Sequence, residues 1–163
     1  YYITDFIDKN APYEIIQSWA GAGAIILLQI PVNRLTKKLP SHKAILLGFA
    51  VSSLIWIIIG ISPSIPTIVA GLIAFSIGEM IQAPRYYEYI SGIAPAGQQG
   101  LYQGYAFLPI AIARFVGDPF GGWLYQTSKE SGHPEYVWYS MIAIGLLAAF
   151  FMYLYNRIVM KGK

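Results

Sequence analysis

Cysteine is absent from the 163-residue chain, which removes disulfide frameworks, thiolate nucleophiles and thiolate metal sites together. Charge is scarce as well. Asp, Glu, Lys and Arg make up 12% of the residues, against roughly 25% in a soluble domain. Histidine occurs twice, at His42 and His133, and neither stands at metal-ligand spacing from a carboxylate. No glycine-rich phosphate loop is present, which argues against an ATP-driven pump segment. The 16 glycines follow no repeat, so collagen-like folds are excluded. What is abundant is apolar: 56% hydrophobic residues and a mean hydropathy of +0.50. That composition excludes disorder and points to an all-α, polytopic membrane protein.

The net charge of +3 is set by placement rather than by a basic surface. Lys and Arg cluster between apolar runs, so the expected partner is a lipid bilayer and not nucleic acid. The chain opens at Tyr1 with no leader-like segment, and it reads as a piece of a longer protein lacking its amino-terminal part.

A membrane helix needs about 20 mostly apolar residues. Five stretches qualify, at about 15–32, 44–61, 65–93, 99–125 and 136–158. Residues 1–14 form an extracytoplasmic segment and residues 15–163 a five-helix membrane domain. In the third stretch Pro84 would stop a soluble helix. Beyond it Tyr86, Tyr89, Ile90 and Ile93 keep helical spacing, so one kinked helix is expected up to the stop at Ala94-Pro95-Ala96-Gly97. Arg34, Lys37, Lys38 and Lys43 lie in the first loop, and Arg157, Lys161 and Lys163 follow the last span. These place the first loop and the carboxyl terminus in the cytoplasm, in a plasma or inner membrane.

Three ionisable groups fall inside the spans: Glu79, Arg114 and Asp118. Such groups are costly in hydrocarbon and usually face a cavity or a partner. Glu79 has no oppositely charged residue three or four positions away on its own helix. Arg114 and Asp118 are four apart and can form an ion pair on one helix face. Gln82 lies one turn after Glu79. Gly100/Gly104 and Gly117/Gly121 have the GxxxG spacing of helix packing. The tyrosines of Tyr86-Tyr87-Glu88-Tyr89 are expected at the membrane interface.

The loop Gln29-Ile30-Pro31-Val32-Asn33-Arg34-Leu35-Thr36-Lys37-Lys38 resembles the inner-loop motif G-x-x-x-D-R-x-G-R-R of the major facilitator superfamily. Arg34, Lys37 and Lys38 match, whereas Gln29, Asn33 and Thr36 depart from it. Gly78-Glu79-Met80, Ala83-Pro84, Ala94-Pro95, Gly100 and Phe107-Leu108 are similar to landmarks of the proton-dependent oligopeptide branch, with Ala106 where that branch has Trp. Gly117-Asp118-Pro119-Phe120-Gly121-Gly122 resembles instead the G-P-x-x-G-G of drug and sugar carriers. The resemblance implies five helices of the carboxyl-terminal six-helix bundle, with the amino-terminal bundle missing.

It also implies a secondary transporter, not an enzyme, with no cofactor and no metal. The expected activity is proton-coupled uptake of a small solute such as a di- or tripeptide. The alternatives are a drug or sugar carrier and a non-transporting membrane scaffold. Glu79, Arg114 and Gln82 are the expected substrate or proton contacts. An intramembrane enzyme ranks last, because no nucleophile or metal cluster converges.

Overall fold

The computed structural model describes residues 2–160, with the side chains of 159 and 160 left aside. Lys161 and Lys163, counted above for orientation, lie outside the described residues. Those residues form helices joined by short turns, with no strand among them. Helix α1 (Tyr2–Phe6) is a single short turn. Helices α2 (Tyr13–Ser18) and α3 (Ala24–Thr36) are joined without a break through a π-helical turn at Trp19–Gly23. That wider turn falls on the small residues Ala20-Gly21-Ala22-Gly23, where no bulky side chain resists the altered backbone spacing. Then follow α4 (Ser41–Ile61), α5 (Ile65–Ile93), α6 (Gln99–Glu130) and α7 (Tyr136–Tyr155).

Turn chemistry sets the helix ends. Ser64 caps α5, with its hydroxyl accepting from Thr67 N while Thr67 Oγ1 accepts from Ser64 N at 2.9 Å. Pro66 sits in the first turn, where a missing N–H costs nothing. Helix α5 then runs unbroken through Pro84 to Ile93. The chain turns away from it through Gly97 at φ +81°, and away from α6 through Gly132 at φ +74°, two positions that favour glycine.

Four helical segments are long and apolar enough to cross a membrane: Tyr13–Thr36, Ser41–Ile61, Ile65–Ile93 and Tyr136–Ile158. Helix α6 is the longest at 32 residues, yet it falls short of their apolarity. Arg114, Asp118, Pro109 and Pro119 dilute its middle, so the stretch expected as the fourth span is a continuous helix, more polar than the other four.

Helix α4 is the hub, packing on α5 along one side and on α7 along another, while α3 lies against α5. Small residues make these crossings close. A Cβ on Gly48 would come within 2.7 Å of both Gln82 Cβ and the Gly78 carbonyl oxygen. A Cβ on Gly78 would collide with Ser52 Oγ and with the Gly48 carbonyl, and one on Gly145 would collide with Ser53 Oγ. Ser53 satisfies its hydroxyl within its own helix, donating to Phe49 O at 2.7 Å. Below this seam Ile55, Ile59 and Ile68 form the buried core, flanked by Trp56, Leu72 and Phe75. Lipid is as apolar as leucine, so this fit between helices, more than hydrophobic exclusion, holds the bundle.

Helix α6 behaves differently. Every residue from 107 to 120 is exposed, and Phe115 is 83% exposed. No neighbouring atom lies within 4 Å of a Cβ placed on Gly100, Gly104, Gly117 or Gly121. Among the described residues the glycines with GxxxG spacing in α6 meet no helix, and α6 is held at its two ends. At one end Tyr86 Oη donates to Ala106 O at 3.0 Å, and Gln103 Nε2 donates to Tyr87 O at 2.9 Å. At the other, Lys129 Nζ and Tyr125 Oη both donate to Asp5 of α1, at 2.5 and 2.6 Å. Helix α1 is docked by stacking too, Tyr2 lying edge-on to Trp138, which stacks on Trp56 at 5.4 Å.

Gly78→Leu should therefore destabilise the bundle by about 1–3 kcal/mol through overpacking, while Gly104→Ala stays within about 0.5 kcal/mol. Thermal unfolding in detergent reads both. The α1 contact should depend on pH in one direction only. Donation from Lys129, then from Tyr125, holds the Asp5 carboxyl below the usual carboxylate range. The stabilisation is thus fully present above about pH 4 and is lost as pH falls through the lowered value. Tryptophan fluorescence should stay flat from neutral pH down to about 4 and change below it, and Asp5→Asn should abolish the change.

Candidate functional site

Glu79 occupies the midpoint of α5, roughly 20 Å from either end at helical rise. Its neighbours Gly78, Met80 and Ile81 are buried, while Glu79 itself is exposed. The seam with α4 thus orients the helix: the glycine that lets α4 approach fixes which way the adjacent carboxylate points. Gln82 is half-buried and lines a cavity of about 350 Å³ between α4, α5 and α6, with Phe49, Tyr86, Pro109 and Ala113 among its walls. Arg114 follows Ala113 directly and stands at the midpoint of α6, exposed like Asp118 one turn on.

Of Glu79, Gln82, Arg114 and Asp118 only Gln82 lines that cavity, and none of them is ion-paired among the described residues. Among the described residues the salt bridges are Arg85–Glu88, Lys129–Asp5 and His133–Glu135. Arg114 bridges neither Asp118 nor Glu79.

The first-loop residues divide. Asn33, Arg34 and Lys37 line a separate cavity of about 370 Å³ with Pro84, Arg85 and Glu88, whereas Lys38 is exposed outside it. Arg85 carries this corner. Its Nη1 pairs with Glu88 at 2.6 Å, and its Nη2 donates to the Thr36 carbonyl at 3.1 Å, capping the last turn of α3. In the sequence its only signal was the i, i+3 spacing to Glu88, and the Thr36 contact spans 49 residues.

The tyrosine cluster also straps helices together. Tyr86 and Tyr87 tie α5 to α6, and Tyr89 Oη meets Tyr155 Oη at 3.4 Å across to α7. A third cavity, of about 300 Å³, lies behind them between α4, α5 and α7, walled by Phe49, Tyr86, Tyr89 and Tyr155 with His42 at its edge. Among the described residues no group of three His, Asp or Glu could hold a metal ion. The arrangement comprises an exposed carboxylate on α5, an exposed guanidinium on α6 and a cavity lined by Gln82.

Comparison with known proteins agrees on the family. The Major Facilitator Superfamily profile matches residues 10–161. The chain is 28% identical over 123 residues to the multidrug resistance protein MdtH of Klebsiella pneumoniae subsp. pneumoniae, covering 75% of this chain and 31% of that protein. It is 29% identical over 123 residues to MdtH of Salmonella schwarzengrund, covering 75% and 31%. With MdtH of Edwardsiella ictaluri the identity is 25% over 133 residues, covering 81% and 33%. The chain thus spans about a third of the length of these curated relatives. No solved structure matches it. By the profile match across nearly its whole length, the chain belongs to the Major Facilitator Superfamily.

Proposed function

We propose that the chain is part of the carboxyl-terminal bundle of a secondary transporter that exports amphiphilic organic solutes. The observation that carries this reading is the 28–29% identity, over three quarters of the chain, to relatives named multidrug resistance proteins. The oligopeptide resemblance has no such support. Its key glycine, Gly78, is explained by the approach of α4, so the Gly-Glu landmark carries packing information rather than substrate information.

In this proposal the exposed faces of α5 and α6 look toward an amino-terminal bundle, and the solute binds between the two near the bilayer midplane. The carriers of this architecture work by rocking one bundle against the other. Glu79 is the proton or substrate contact, Arg114 its counter-charge or an anion contact, and Gln82 a hydrogen-bonding wall. Aromatic and apolar walls beside Gln82 suit a flat apolar solute with few polar groups. The basic first loop and the basic tail stay on the cytoplasmic side of an inner membrane.

Cells expressing the intact protein should extrude ethidium when energised. Glu79→Gln should slow extrusion roughly ten-fold, the effect of losing one charge-assisted contact. Arg114→Ala should slow it as well. Uptake of a labelled dipeptide with no ethidium export would restore the peptide reading. No movement of either solute by an inserted, folded protein would favour a scaffold.

A further inference from the structure

The cavity between the loop-side ends of α3 and α5 has the charge and shape of a lipid site. Arg34, Lys37 and Arg85 face a single carboxylate, Glu88. Arg85 already spends its guanidinium on Glu88 and on the Thr36 carbonyl. Arg34 and Lys37 form none of the salt bridges among the described residues and are exposed. The corner is therefore net positive, with two cations free to meet an anion.

What selects the kind of anion is the helix face below it. Leu27, Ile30 and Arg34 follow at three- and four-residue steps and so form one stripe along α3, which Lys37 continues from the helix C-cap. Its membrane part is apolar, with Leu27 76% and Ile30 65% exposed, and its end is cationic. A soluble phosphate would use only the cationic end. We propose that this stripe binds an anionic phospholipid, its phosphate held between Arg34 and Lys37 and an acyl chain lying along Leu27 and Ile30. Basic pockets between membrane helices at the headgroup level hold anionic lipids in this manner. Asn33, in the same cavity, adds an amide and no opposing charge. The lipid contact is independent of the solute carried.

Native mass spectrometry of the intact protein with mixed phosphatidylglycerol and phosphatidylcholine tests it. Phosphatidylglycerol should be retained at least about ten-fold more strongly, as expected for charge-assisted contacts to one phosphate. Arg34→Ala/Lys37→Ala should erase that preference, and Lys43→Ala, outside the cavity, should keep it. Equal retention of the two lipids by the unaltered protein would overturn the proposal, whatever the variants do. So would a preference that survives the double substitution. Soluble glycerol phosphate competing as well as the lipid would reduce the site to a plain anion pocket and also overturn it.

Discussion

Everything else in this bundle depends on how closely α4 can approach its neighbours. Gly48 and Gly78 face each other with carbonyl oxygens where side chains would otherwise be, and Ser53 fits against Gly145 on the opposite side. In lipid no solvent drives helices together, so contact area and close packing carry the association. A crossing made by glycine and serine fixes the rotation of α5 about its axis. With Gly71, Ser76, Gly78 and Ile81 buried, the helix has a determined outer face, and Glu79 is on it.

Helix α6 is the counterpart of this tight seam. Its loop-side end is strapped to α5 by Tyr86, Tyr87 and Gln103, and its far end is tied to α1 by Asp5. Between the straps the helix contains two prolines and leaves residues 107–120 exposed. Proline within a membrane helix frees a carbonyl and lowers the cost of bending. A closely packed α4–α5–α7 unit thus lies beside a long helix held at its ends.

The all-helical class was legible because apolar runs of membrane length leave no other way to satisfy the backbone in lipid. Packing was less legible. The GxxxG spacings in α6 obey the motif and contact no helix, whereas Gly48, Gly78 and Gly145 make the crossings without it. Spacing says which residues share a face and cannot say which helix comes to that face. The same limit hid Arg85, whose partner Thr36 lies on another helix. Glu79 stood out because it is a lone carboxylate in an apolar run, a cost that shows in composition alone. Its branch assignment did not follow, because the adjacent glycine is accounted for by the approach of α4.

These 163 residues hold no cysteine, and in an otherwise cysteine-free background a single introduced thiol reports only its own surroundings. The intact protein bearing Glu79→Cys, Arg114→Cys or Ile55→Cys would be exposed in membranes to a water-soluble, membrane-impermeant thiol reagent. If a wet passage runs along the outer face of α5 and the middle of α6, the thiols at 79 and 114 are modified, and the one at 55, inside the seam, is silent. Protection at 79 and 114 from both sides of the membrane, with and without solute, would contradict the account.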